Sequence, residues 1–199
     1  IIDKTWSKAY NVVANCNNLI QNIEKADPEL FSEKNPEKRS IWGEALALRA
    51  YIQFDMLRLF AAAPITTPQK KYISYITDYP AYVSTPQSVE ECLDSIINDL
   101  SKSAQLVWSL DSMRGNQTPH YWFEEKRPGI ERFTSVRGYR LNYFAIQATL
   151  ARVLMYANQT DQALQLATQL INYHQQLNTF NFADNSAQGD MKMYGNILF

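Results

Sequence analysis

The sequence predicts an all-α fold built from antiparallel helix pairs and long irregular loops. Three observations carry that expectation. Apolar residues recur at helical spacing in five separate segments, and the prolines fall between those segments or at their starts. Only six glycines are spread over 199 residues, which suits an all-β chain poorly.

The first helix is expected from Lys4 to Ala26. Trp6, Ala9, Tyr10, Val13, Cys16, Ile20 and Ile23 form one stripe, interrupted by Asn17. An amide in an apolar stripe satisfies a neighbouring helix end or a loop backbone. Asp27-Pro28 ends the helix, because the residue before proline is pushed out of the α region. A polar connector, Pro28 to Lys38, leads to a second helix with Asn35-Pro36 as its start signal.

That second helix runs to about Ala63 and is apolar on two faces. One row is Ile41, Ala45, Leu48, Ile52, Met56 and Leu59; the other is Trp42, Leu46, Ala50, Phe54, Leu57 and Ala61. A helix of this kind must be covered on both sides, so Gly43–Ala61 is expected to be the most buried element. It nonetheless carries Glu44, Arg49, Asp55 and Arg58. Glu44 and Arg49 lie five apart and do not face each other, so each needs a partner on another element. The reading is structural pairing, not a functional dyad.

A loop follows at Pro64–Gln87, with four prolines and no helical period. Structureless connections above about 12–15 residues are uncommon and often functional. The third helix begins at Ser88, where Ser88 and Glu91 make a capping-box pattern, and its stripe is Val89, Leu93, Ile96, Ile97, Leu100, Ala104 and Val107. A second irregular segment spans Ser109–Phe133. The fourth helix is expected from a cap at Thr134-Ser135 to about Ala157, with Leu141, Phe144, Ala145, Ala148, Arg152 and Met155 on one face. After a break at Asn158–Thr160, the fifth helix packs through Ala163, Leu166, Ala167, Leu170, Ile171 and His174. The tail from Asn178 to Phe199 has no strong pattern.

Composition narrows the function. A net charge of −1 gives no electrostatic case for nucleic acid or an anionic membrane surface. No stretch is long and apolar enough to span a bilayer. Cys16 and Cys92 both sit on apolar stripes and read as buried thiols rather than a disulfide. The two histidines, His120 and His174, lack zinc-ligand spacing, and no glycine-rich phosphate or dinucleotide motif is present. No metal, no cofactor and no catalytic constellation is therefore expected. The chain starts at Ile1 without methionine or signal peptide and reads as a piece of a longer protein.

The two loops are the candidate sites. Pro64–Gln87 carries Tyr72, Tyr75, Tyr79 and Tyr82, and the second loop carries Tyr121 and Trp122. Aromatic faces beside polar groups suit carbohydrate, whose C–H faces stack while its hydroxyls hydrogen-bond. Tyr79, Tyr82 and Trp122 are the expected ligand-binding residues; the competing reading is that such rings fold back over the helices.

The motifs also carry a resemblance. Trp6, Tyr10, Asn15 and Ile20, then Gly43-Glu44-Ala45, Arg49-Ala50, Phe54, Arg58, Phe60 and Pro64, resemble the SusD/RagB family of nutrient-binding outer-membrane lipoproteins of Bacteroidetes. Ser88-Val89-Glu90-Glu91, Asn98-Asp99-Leu100 and Arg132-Phe133-Thr134 continue the likeness, while Ala61 stands where that family commonly has glycine. The resemblance implies a tetratricopeptide-repeat-like stack and a single helical-repeat domain over 1–199, lacking the family's loop-rich half. It also implies a surface-exposed lipoprotein of the outer membrane, attached only through a lipid anchor outside this chain. Its implied role is to bind oligosaccharide or peptide without catalysis and pass it to a TonB-dependent SusC-like transporter. The alternative class is a helical-repeat scaffold that binds protein or peptide only.

Overall fold

The computed structural model describes residues 1–113 and 137–177, with side chains to residue 173. Among the described residues the α-helices are α1 (Ile2–Ile23), α2 (Lys34–Phe60), α3 (Val89–Asp111), α4 (Tyr143–Tyr156) and α5 (Thr160–Leu177). The fold is all-α, and each helix packs on the next along the chain. Neighbours run antiparallel. Trp6 meets Phe60 edge-on at 4.9 Å at one end of the first pair, while Lys38 Nζ reaches the Glu24 and Ala26 carbonyls at the other. In the second pair Gly43 lies against Ser103 and Val107, and Arg49 meets Asp99.

Local chemistry fixes the helix ends. The Ser88 hydroxyl accepts from the Glu91 amide at 3.1 Å and the Glu91 carboxylate accepts from the Ser88 amide at 2.7 Å, so the capping box forms and starts α3. α3 then continues through Asp111, beyond the expected break at Ser109, because Leu110 and Asp111 are both buried. The fourth helix starts later than the sequence suggests. Thr134 and Ser135 lie outside the described residues, and α4 begins at Tyr143, where Asn142 Oδ1 accepts from the Ala145 amide at 2.9 Å. Ahead of that cap, a 3-10 turn spans Arg137–Tyr139. Asn158 makes the turn into α5 in the left-handed region at φ 61°, a conformation asparagine tolerates.

The core joins Leu46, Phe54 and Leu57 of α2 to Ile96, Leu100 and Val107 of α3 and Ile146 and Val153 of α4. Over the expected span Gly43–Ala61, ten of 19 positions are buried, and α3, lying between α2 and α4, matches it with twelve of 23. Leu59 departs from its expected stripe at 67% exposed: the C-terminal part of α2 is covered through Phe60 on Trp6 and Phe54 on Tyr156, and Leu59 lies outside both contacts. Met155 on α4 is likewise exposed.

The loop after α2 holds more order than the sequence suggests. Lys71–Ile73 (β1) pairs antiparallel with Gln87–Ser88 (β2), with Lys71 opposite Ser88 and an irregular register beyond it. This two-stranded ribbon closes the neck of the loop just where α3 begins.

Candidate functional site

The loop between β1 and β2 is held to the helices mainly by side-chain amides. Gln53, buried on α2, accepts from the Ile76 amide at 2.6 Å and donates to the Ile76 carbonyl at 3.1 Å. Asn17 on α1 donates to the carbonyls of Ile76 and Asp78, both at 3.2 Å. One turn further along α1, the Gln21 amide faces Tyr79. In the orientation that satisfies both groups it donates to the Tyr79 carbonyl at 2.9 Å and accepts from its amide at 3.0 Å. The interruption of the α1 stripe at Asn17 is thus a loop anchor.

Beneath these anchors lies a buried ionic cluster. Arg49 clasps Asp99 of α3 through Nε and Nη2 at 2.7 and 2.9 Å and donates from Nη1 to Asn17 Oδ1 at 3.0 Å. The Tyr75 hydroxyl donates to the same Asp99 at 2.5 Å. Burial, reinforced by the Asp99 charge, holds the Tyr75 phenol well above its ordinary range, so it remains a donor. Loop, α1, α2 and α3 therefore meet through one chain of hydrogen bonds.

Glu44 belongs to a separate cluster. Its carboxylate meets Arg137 at 2.5 Å and Arg140 at 2.5 Å, and Arg137 also donates to Asp111 at 2.7 Å. Asp111 accepts from the Tyr143 amide as well, tying the end of α3 to the start of α4. Burial pushes the Asp111 carboxyl upward, and Arg137 opposes that shift. Glu44 and Arg49 thus pair with different elements, as structural ions do.

The four loop tyrosines divide by environment. Tyr75 is in the core and Tyr72 is half-buried, bonded to Thr67 at 3.1 Å. Tyr79 is 45% exposed, and Tyr82 at the tip is 88% exposed. The Tyr79–Pro80 peptide is cis. Two concavities flank the loop. A cleft of about 590 Å³ lies between it and α1, walled by Trp6, Tyr10, Tyr72, Tyr79 and Pro80 with Asp78 at its edge. The other, of about 500 Å³, is more polar and brings Ser74, Thr77, Ser84 and Thr85 around Tyr82. Rings and hydroxyls sit side by side there, the pairing that a polyhydroxylated ligand needs.

Residues 2–118 match the family described as starch-binding and associating with the outer membrane, a SusD-like family. The chain belongs to the SusD-like family. No curated protein matches it. In fold it is similar to a SusD superfamily protein from Bacteroides vulgatus, at 22% identity and a TM-score of 0.67, over 90% of this chain and 35% of that one. A SusD superfamily protein from Bacteroides thetaiotaomicron gives 22% and 0.66 over 89% and 33%. A SusD-like carbohydrate binding protein from B. vulgatus gives 20% and 0.66 over 92% and 33%. This SusD-like chain spans about a third of the length of those structures.

Of the expected site residues, Tyr79 and Tyr82 are both exposed on the loop but line different concavities, Tyr79 the cleft against α1 and Tyr82 the more polar one, while Trp122 lies outside the described residues. Sequence reasoning missed Gln21 and Gln53, since an amide on a helix gives no local signal of a partner far along the chain. Among the described residues no group of three or more His, Cys, Asp or Glu could hold a metal ion, and no helix is long and apolar enough to cross a membrane. Cys16 and Cys92 are free and buried, and burial pushes the Cys92 thiol up to about 11.

Proposed function

We propose that this SusD-like chain contributes a non-catalytic glycan-binding surface at the outer membrane. Tyr79 and Tyr82 would supply stacking faces, and the flanking hydroxyls and backbone would bond the sugar. The observation that carries the reading is a pair of exposed rings, Tyr79 at the last point where Gln53, Asn17 and Gln21 fix the loop backbone and Tyr82 on the span just beyond it. A tyrosine presented on an anchored backbone offers contact area at low ordering cost. The family's description as starch-binding and outer-membrane-associated favours the same direction. In the full protein the bound sugar passes to a SusC-like TonB-dependent transporter, and a lipid anchor outside this chain holds the protein at the cell surface. The 199 residues form one helical-repeat domain in this reading.

Calorimetry on the full-length protein with maltoheptaose, cellohexaose, mannohexaose and a mixed pool of short peptides tests it. One of the glycans is expected to bind, and Tyr79→Ala with Tyr82→Ala to weaken it at least ~10-fold with the melting temperature unchanged. Binding to peptides alone would leave the scaffold reading standing. Lost stability with unchanged glycan affinity would make the rings packing groups.

A further inference from the structure

We infer that Gln21, on the exposed face of α1, is a positioning residue for Tyr79. It holds the peptide of that residue so that the ring is already in place when ligand arrives. The inference rests on the glycan-binding reading of the loop and adds to it a residue that touches no ligand.

The anchors along the loop are not equivalent. Gln53 and Asn17 are fully buried; Asn17 belongs to the hydrogen-bond chain that runs through Arg49 to Asp99, and Gln53 joins it through the Ile76 carbonyl that the two share, so they hold the fold and the loop together. Gln21 is exposed and lies four residues after Asn17, on the same face of α1. Its one amide takes both peptide groups of Tyr79, at 2.9 and 3.0 Å. Among the described residues, Tyr79 is the last loop position whose peptide groups are bonded to a helix before the chain returns at Gln87. From Pro80 to Pro86 every residue is exposed, Tyr82 and Val83 most of all. Losing Gln21 therefore moves the point of attachment back to Asp78 and adds Tyr79 to the free span. Core packing contributes nothing at this position, so global stability and loop order separate here.

Three variants of the full-length protein test the inference: Gln21→Ala, Gln21→Glu and Tyr79→Ala. Glutamate keeps the length and an acceptor for the Tyr79 amide but sets a second carboxylate oxygen against the Tyr79 carbonyl. Hydrogen exchange at the Tyr79 amide is read in the free protein. Affinity is read for whichever of maltoheptaose, cellohexaose or mannohexaose the wild type binds most tightly.

The expected result is Tyr79 exchange at least ~10-fold faster in Gln21→Ala, with the melting temperature within about 2 °C of wild type. Affinity should fall about 5- to 20-fold in both Gln21 variants. Unchanged exchange at Tyr79 would overturn the inference, and so would faster exchange with wild-type affinity while Tyr79→Ala still weakens binding. If Tyr79→Ala binds as wild type does, or no glycan binds the wild type, the glycan-loop reading fails first and this inference falls with it.

Discussion

Gln53 brackets Ile76, using its side-chain oxygen for the Ile76 amide and its nitrogen for the Ile76 carbonyl across 23 positions of sequence. A buried glutamine thus acts as the missing β-partner for one residue of an otherwise irregular loop. Gln53→Leu keeps the volume and strands the Ile76 amide, while Asn17 still donates to the Ile76 carbonyl. We expect a loss of about 1–3 kcal/mol in urea unfolding, the cost of one unsatisfied buried group. A loss below about 1 kcal/mol would mean that water replaces the amide freely.

Asp99→Asn tests the ionic cluster. It removes the charge from a site where Arg49 is 6% exposed and leaves that guanidinium without its counter-ion. Breaking a buried pair from one side costs about 3–5 kcal/mol, and this is the expected fall in unfolding free energy. With Asp99 intact, Arg49→Lys should also destabilise although it keeps the charge, because an ammonium cannot reproduce the fork that spans both Asp99 oxygens and Asn17.

At Gly43 the helices α2 and α3 approach each other closely. An added Cβ would lie 2.5 Å from Val107 Cγ2 and 2.9 Å from the Ser103 carbonyl. Gly43→Ala raises helix propensity by about 1 kcal/mol, yet overpacking of this kind costs about 1–3 kcal/mol or more. Net destabilisation in thermal or chemical unfolding is expected. Adding Val107→Ala should restore part of the loss, since the Ser103 backbone still obstructs.

Alkaline pH should weaken the fold through Cys92. Its thiol is raised from 9.0 to about 11 by burial and then by Glu91, so between those values the unfolded chain loses a proton that the native protein keeps. The native state is favoured fully below pH 9, and that advantage disappears as pH rises towards 11; the change is on the order of 2 kcal/mol. Tyr10, pushed up to about 12 chiefly by burial, extends the decline at higher pH. Cys92→Ala should flatten the pH 9–11 part of a stability profile, and the native wild type should react with thiol reagents far more slowly than the urea-unfolded chain.

What the sequence revealed was local or periodic. The capping box at Ser88 and Glu91 involves neighbours in the chain and was readable, as were the α3 stripe and the need of Arg49 for a distant partner. Asn17 was visible because an amide broke an apolar row. Gln53 and Gln21 were not: the first sits among apolar residues without interrupting a stripe, and the second lies on an exposed face. Leu59 fits the helical period but misses the core, because periodicity assigns a face and says nothing of where the neighbouring helix stops. The start of α4 was displaced for a related reason: Asn142 is an ordinary cap, but nothing local distinguishes it from Thr134-Ser135.

The closed neck between β1 and β2 separates two kinds of change. Lys71 and Ser88 fix where the loop leaves and rejoins the helices, and Tyr75 and Ile76 are pinned just inside. Beyond Tyr79 the chain is free to differ in length and side chains without rerouting α2 into α3, because lengthening such an excursion carries only a slow logarithmic entropy cost. The tip is an exchangeable cassette. If the loop binds glycan as proposed, residues 80–86 could be replaced by a segment suited to another sugar while the helices beneath stay untouched, and ligand preference would drift on a scaffold that does not have to evolve with it.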